Sequence, residues 1–209
     1  MLGLLSRKGG SGKTTLAIHL AVQAQNGALR VLLVDLDPQG STSAWWQARS
    51  ADTPQMDATT PAKLPALLDA ARKGGIDLVI IDTRPSVEAD AIQVAALSDF
   101  VLVPTRPSIL DLRAILATID IVKGSRMRAA IVLNACQAPR AGGEASTTTD
   151  ARKALNAFGV AVAPTTIVQR ASLAHALVSG MAVSETEPDS KAAKEIRALW
   201  RYIEKEMSK

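Results

Sequence analysis

The sequence predicts an α/β fold: one domain built on a mostly parallel, twisted sheet with helices on both faces. Three observations carry that expectation. Short, near-continuously aliphatic runs recur along the chain, as in strands buried on both faces. Longer stretches of helical periodicity separate these runs, and strand–helix alternation calls for right-handed crossovers and a parallel sheet. The chain has 209 residues, within the roughly 250 to 300 that a single hydrophobic core can organise, so one domain spanning 1–209 is expected.

Taken in order, the aliphatic runs are Leu2–Leu5, Val31–Asp35, Leu78–Asp82, Phe100–Pro104, Ala129–Leu133 and Val160–Ala163. Between them, helical spacing covers Thr14–Ala24, Pro65–Lys73, Ser86–Leu97, Leu110–Val122 and Thr149–Phe158. Gln137–Ser146, rich in Ala and Gly, reads as a surface loop. From Ser190 onward, Ala192, Ile196, Leu199, Trp200, Ile203 and Met207 repeat at helical spacing and form one apolar stripe.

Composition narrows the function classes. Hydrophobic residues make up 47% of the chain and aromatics only 3%, so the core is aliphatic. A single cysteine, Cys136, excludes an internal disulfide framework and a metal site of several thiolates from one chain. No apolar run reaches the ~18 residues of a membrane-spanning helix. The stretch before the glycine-rich segment is too short for a signal peptide's apolar core, so a cytoplasmic protein is expected. The +4 net charge and pI near 9.4 permit an anionic partner without demanding one.

In open α/β sheets, ligands bind outside the carboxyl ends of the strands. The first strand runs into Arg7-Lys8-Gly9-Gly10-Ser11-Gly12-Lys13-Thr14-Thr15 and then into a helix. Three glycines let the backbone amides converge on one anion, and the helix N-terminus adds its dipole. Lys13 can reach the β- and γ-phosphates, and the Thr14 hydroxyl can ligate Mg²⁺. The segment departs from the strict phosphate-loop pattern at one position. Where that pattern wants Gly, five residues before Gly12, the chain has Arg7.

Lys8 is a second lysine in the loop, and Asp35-Leu36-Asp37-Pro38-Gln39-Gly40-Ser41 follows the second strand. With these residues the chain resembles the ParA/MinD family of deviant Walker-A ATPases, most of all its short ParA-type partition members that lack an N-terminal DNA-binding domain. Lys8 to Thr14 is similar to the family's signature loop, Asp35 to Ser41 to its first switch, and Ile80-Ile81-Asp82-Thr83 to its Walker B strand. Val103-Pro104-Thr105 with Pro107-Ser108 matches the next strand end, and Ser190-Lys191-Ala192-Ala193-Lys194-Glu195 the C-terminal helix.

The resemblance implies ATP and Mg²⁺ as cofactors, held by Lys8, Gly9, Gly10, Ser11, Gly12, Lys13, Thr14 and Thr15. It implies that Lys8 reaches across a nucleotide-sandwich homodimer to the partner's phosphates. Asp37 would position the attacking water, Asp82 would hold Mg²⁺ through a water, and Asp35 would support the switch and the metal shell beside Thr14. Lys8, Lys13 and Asp37 form the catalytic set. Phosphoryl transfer fits these residue types, because it needs charge neutralisation and an oriented water more than covalent chemistry. A helix cap or turn is the structural alternative for either Asp37 or Asp82. Asn134 is read in two ways, as a hydrogen-bond partner of the adenine edge or as a loop cap.

Two positions depart from the family, Arg84 where it commonly has Pro and Arg106 where it commonly has Gln. Each could bind phosphate, pair with a carboxylate or stand in solvent. Trp45 and Trp46 read as core anchors of the helix after the switch, with partner contact as the minority reading. Cys136 reads as a packing residue, and neither His19 nor His175 as catalytic.

The expected function is an ATP-driven switch that dimerises on ATP and binds nonspecific DNA. A ParB-like or cargo-adaptor partner would stimulate hydrolysis and release it, segregating a plasmid or chromosome. The alternative is the same switch positioning a protein cargo, a chemotaxis cluster or a microcompartment. A MinD-like membrane ATPase is less favoured, since the chain ends within its last helical pattern, and no membrane partner is expected. A nitrogenase-reductase-like cluster would need two cysteines per chain. A dethiobiotin-synthetase-type ligase would lack Lys8 together with the first-switch run. A nucleoid-associated location follows from the DNA reading. Its surface is expected on the C-terminal helix, where Lys191, Lys194, Arg197, Arg201 and Lys205 fall opposite the apolar stripe.

Overall fold

In the computed structural model, which describes residues 1–85, 88–139 and 143–209, seven strands pair in parallel into one sheet. They are β1 (Leu2–Leu4), β2 (Val31–Asp35), β3 (Gln55–Ala58), β4 (Leu78–Asp82), β5 (Phe100–Thr105), β6 (Ala129–Leu133) and β7 (Ala161–Val162), in the spatial order β3-β2-β4-β1-β5-β6-β7. The helices are α1 (Lys13–Gln25), α2 (Ser41–Ala48), α3 (Leu64–Lys73), α4 (Glu88–Leu97), α5 (Ile109–Ala114), α6 (Leu116–Ser125), α7 (Ser146–Asn156), α8 (Ala171–Val178), α9 (Val183–Thr186) and α10 (Lys191–Met207). The expected fold class is the one observed.

Central strands are buried on both faces because their neighbours in sequence split between two cores. Leu2, Leu4, Leu33, Ile80 and Leu102 pack with α1, α8 and α10 through Leu16, Leu20, Leu173, Ile196 and Leu199. Leu32, Val34, Ile81, Val101 and Val103 pack with the opposite layer through Val94, Ile119, Val122 and Leu155. The alternation is strict because successive side chains of a strand point to opposite faces.

Three expectations are corrected. β3 has no counterpart among the expected strands: Gln-Met-Asp-Ala carries one large apolar residue and lies at the sheet edge, so its periodicity is faint. The single helix expected over Leu110–Val122 is two, α5 and α6, divided at Ile115. The strand expected over Val160–Ala163 shortens to β7, an edge pair. Ser86, at the start of one expected helix, and part of the expected loop Gln137–Ser146 lie outside the described residues.

β1 lies between β4 and β5, so chain order turns outward in both directions from it. That switch point puts a crevice at the carboxyl end of β1, where the glycine-rich loop begins. Parallel register sets Leu4 beside Asp82 and Asp35 beside Asp82, so both acidic strand ends open on the same crevice.

Candidate active site

The loop after β1 curls through two glycines in the left-handed region, Gly10 at φ 73° and Gly12 at φ 94°. Gly12 is required on two counts. An added Cβ would stand 2.0 Å from Asn134 Nδ2, and a side chain is disfavoured at that φ. Asn134 Nδ2 donates to Ser11 O at 2.8 Å, and the Asn134 backbone N–H donates to Thr105 O at 2.7 Å. The loop-cap reading of Asn134 is thus seen, and its contact with an adenine edge stays a proposal, since the residue also lines the cavity beside the loop. Lys13, at the start of α1, is buried and donates from Nζ to Ser6 O at 3.2 Å, closing the loop on itself. Burial lowers the Lys13 ammonium below its ordinary range, opposed by the nearby carboxylates of Asp82 and Asp37. The Ser11 hydroxyl is buried without a hydrogen-bond partner among the described residues.

Asp82, at the end of β4, is wholly buried, and burial pushes its carboxyl up to about 6. The Thr14 hydroxyl lies alongside and, with Thr42, counters that shift. Thr42 Oγ1 donates to Asp82 Oδ2 at 2.8 Å, while Oδ1 has no partner among the described residues. A buried carboxylate with one free oxygen beside a threonine hydroxyl fits an Mg²⁺ ion held through a water. Asp35 Oδ1 accepts from the Asp37 N–H at 3.0 Å, and Oδ2 accepts from the Ser43 N–H at 3.0 Å and the Ser43 hydroxyl at 2.9 Å. These bonds tie the turn carrying Asp37 and the start of α2 to the end of β2.

Asp37 is half-buried, and its Oδ1 accepts from the Gln39 N–H at 3.0 Å, so it shapes the turn before α2. It also lines an open cleft of about 550 Å³ with Lys63 and Arg84, which leaves it accessible to water. Lys8 Nζ lies 2.7 Å from Asp111 Oδ1. Asp111 is fixed in turn by Ser108, whose Oγ accepts from the Asp111 N–H at the start of α5 and donates to its other carboxylate oxygen. Gly9 is exposed at the loop's outer turn, and Thr15 is half-buried in the first turn of α1.

Arg84 pairs with Asp90 at 2.6 Å and Arg7 with Glu88 at 3.3 Å. Arg106 is exposed and makes no ion pair among the described residues. Trp45 is buried, donates to Met181 O at 3.1 Å and carries the Arg49 guanidinium 5.1 Å from its ring centre, so it anchors α2. Arg49 grips Glu185 through both terminal nitrogens, at 3.0 and 2.7 Å, and Gly180 O at 2.8 Å. Cys136 is buried, and burial pushes its thiol up to about 11. His19 bridges the Val183 N–H and Leu173 O, both at 3.2 Å, in the core.

Sequence reasoning missed Thr42, Ser43, Arg49 and Asp111. Only Ser108-x-x-Asp111, with a capping serine and an acidic third residue, carried a local signal. A second cavity, about 520 Å³, opens beside the loop between Gly12, Thr15, Asn134, Val168, Leu173 and Leu177. Its size and mixed lining suit a small organic ligand. On α10 the apolar stripe is buried, Lys191, Lys194, Arg201 and Lys205 are exposed and Arg197 is half-buried, so the basic row faces outward as expected.

Comparison with known proteins gives a family, its relatives and solved structures of like fold. The family model of the CobQ/CobB/MinD/ParA nucleotide binding domain matches residues 2–183. The Maintenance of carboxysome distribution protein A of Gloeobacter kilaueensis is 34% identical, covering 100% of this chain and 94% of that protein. Its namesake from Halothiobacillus neapolitanus is 33% identical over 92% and 90%. The chromosome-partitioning ATPase Soj of Thermus thermophilus is 32% identical over 58% and 62%. Among solved structures, apo McdA from Cyanthece superposes with a TM-score of 0.81 at 17% identity, covering 97% of this chain and 98% of that one. The cell division ATPase MinD of Pyrococcus furiosus does so with 0.75 at 22% identity, covering 98% of each.

Proposed function

The chain belongs to the CobQ/CobB/MinD/ParA family of nucleotide-binding domains, and from that footing we propose that it is an ATP-driven positioning switch for a protein compartment. One observation carries the choice of cargo. The two relatives matched along nearly their whole length are both named for carboxysome distribution. The partition protein Soj matches 58% of the chain. Plasmid or chromosome segregation, the first expectation from the sequence, therefore ranks second to its alternative, the positioning of a protein cargo.

The chemistry proposed is ATP hydrolysis to ADP and phosphate. The loop from Gly9 to Thr15 cradles the polyphosphate with backbone amides. Lys13, whose charge is only partly countered in its buried setting, neutralises the β- and γ-phosphates. Thr14 and Asp82 are the residues that would hold Mg²⁺, the latter through a water, and the ion would supply charge neutralisation to the phosphates. Asp37, in its open cleft, orients the attacking water. Lys8 completes the site of a second copy across an ATP-dependent homodimer. To do so it leaves Asp111, so dimerisation exchanges an ion pair within one chain for a phosphate contact between two.

The outward basic row of α10 supplies the proposed contact with nonspecific DNA. Among the described residues no helix is long and apolar enough to cross a membrane. An adaptor bound to the cargo would stimulate hydrolysis and release the dimer from the nucleoid.

Deletion in the native host, followed by imaging, tests the cargo. Compartments are expected to cluster while plasmids and chromosome are inherited normally; plasmid loss with evenly spaced compartments overturns the reading. A DNA titration with ATP, ADP and no nucleotide tests the switch. Replacing Arg197 and Arg201 with Glu should weaken binding to all DNA sequences alike, because phosphates carry no sequence information. Unchanged ATP-dependent binding in that variant would move the surface off α10.

A further inference from the structure

Five cations belong to the phosphate loop or to the strand ends beside it: Arg7, Lys8, Lys13, Arg84 and Arg106. Four are committed within the chain. Arg7 faces Glu88, Lys8 faces Asp111, Arg84 faces Asp90, and Lys13 is tied to Ser6 O inside the loop. Arg106 stands apart, since no carboxylate among the described residues lies within ion-pair distance of it. Asp111 is close enough to feel its charge, yet the Asp111 oxygens are taken by Lys8 Nζ and Ser108 Oγ.

The free guanidinium is not adrift from the site. Its backbone follows directly on β5, whose last residue, Thr105, accepts the hydrogen bond from the Asn134 N–H. Asn134 in turn clamps the loop at Ser11. Arg106 Nη2 stands 3.9 Å from the point where a Cβ on Gly10 would lie, against the left-handed middle of the loop. The same side chain lines the cavity of about 520 Å³ that opens beside Gly12 and Thr15.

These positions constrain the path of a bound nucleotide, and a role for Arg106 there rests on the nucleotide-binding function proposed for the loop. A nucleoside in that cavity with its terminal phosphate at Lys13 must run its first two phosphates past Gly12 and Gly10. Arg106 stands over that stretch. A guanidinium offers a planar fork of five donors that matches two phosphate oxygens at once. The geometry points to Arg106 as a phosphate-binding residue that closes over the α- and β-phosphates, a contact common to ATP and ADP. It sets how tightly either nucleotide is kept, and Gln at this position would give the loop an uncharged roof.

The test compares the full chain with Arg106→Gln and Arg106→Lys in titrations with ADP, a nonhydrolysable ATP analogue and adenosine. Arg106→Gln is expected to weaken ADP and the ATP analogue alike, by about tenfold, the scale of one charge-assisted hydrogen bond. Adenosine binding should not change, and Arg106→Lys should recover part of the loss. Because the side chain is exposed, the melting temperature without nucleotide should match that of the unaltered chain.

Equal affinities in all three proteins would make Arg106 a solvated surface charge and overturn the assignment. A loss confined to the ATP analogue would place it on the γ-phosphate, and a loss extending to adenosine would place it on the nucleoside; either overturns the assignment. Failure of the unaltered chain to bind ATP or ADP would instead remove the nucleotide-binding function on which it depends.

Discussion

Thr42→Val removes one oxygen from the core and, through its effect on Asp82, should raise the demand for Mg²⁺. Thr42 and Asp82 are both 0% exposed, and the hydroxyl donates to Oδ2 at 2.8 Å. Valine keeps the shape and removes the donor. A hydrogen bond to a charged group contributes about 1.5–3 kcal/mol, and its loss leaves a buried oxygen unpaired. The Asp82 carboxyl already sits at about 6, raised by burial and held down in part by Thr42. Without that bond it rises further, toward neutrality. Metal binding needs the ionised carboxylate, so Mg²⁺-dependent binding weakens as pH falls through this range. One pK unit corresponds to about 1.4 kcal/mol, so the loss lowers the ionised fraction of Asp82 at pH 7 by about twofold at the lower end of that range and about fifteenfold at the upper end. Mg²⁺ titrations of a fluorescent ATP analogue at pH 7 and pH 8.5 measure it. The variant should need about two to fifteen times more Mg²⁺ at pH 7. The gap should narrow at pH 8.5, where both carboxylates are ionised, and Thr42→Ser should restore the original requirement. An identical requirement at pH 7, or a gap indifferent to pH, would refute the assignment of Thr42 to the carboxylate.

Lys13→Ala should abolish nucleotide binding, whereas Asp37→Ala should bind ATP and lose about a hundredfold in hydrolysis, the scale of one water-positioning group; normal turnover in the Asp37 variant rejects its role. Lys8→Ala should fold normally and sediment as a weaker dimer with a nonhydrolysable ATP analogue, and an undiminished dimer removes the contact between chains. His19 is held neutral by burial, its pKa lowered to about 4. Its contribution to stability is therefore complete above the ordinary 6.5 and is lost as pH falls from there through 4. Denaturant midpoints at pH 7.5 and pH 5 should show the advantage over His19→Asn shrinking by about 2 kcal/mol at the lower pH; a constant difference would mean the imidazole titrates normally.

The parts of this protein that were legible in its sequence are those written in consecutive residues. Lys8 to Thr15 reads as a phosphate loop because its glycines, lysines and threonines come from one strand–loop–helix unit. The α10 stripe was legible for the same reason, its period lying within one helix. What stayed hidden depends on pairing between distant residues. In sequence Arg84 is a candidate phosphate ligand; in the fold Asp90 holds it. Asn134 clamps Ser11, 123 residues away, a contact no local pattern announces. β3 was hidden because an edge strand with one buried neighbour needs little apolar pattern.

The same rule explains why α2 is underestimated from sequence. There, Thr42 and Ser43 are ordinary first-turn residues of a helix. In the fold they reach, side by side, the two carboxylates that parallel register sets next to each other: Thr42 bonds Asp82 and Ser43 bonds Asp35. The residue after the helix, Arg49, is gripped by Glu185 and Gly180 O, with Trp45 between. Gly180 has no room for a side chain there, since a Cβ would lie 2.3 Å from the Arg49 backbone nitrogen. The helix after the first switch is therefore bolted at both ends, to the acidic strand ends at one and to the turn before α9 at the other. A change in the bonding of Asp82 touches the Thr42 contact alone and leaves the Ser43–Asp35 bonds and the Arg49 end in place. The turn carrying Asp37 leads into that Thr42 end and is tied to Asp35 through the Asp37 N–H. In this arrangement Asp37, proposed to orient the attacking water, is joined to Asp82, proposed to hold the metal, through a threonine whose contact no sequence pattern discloses.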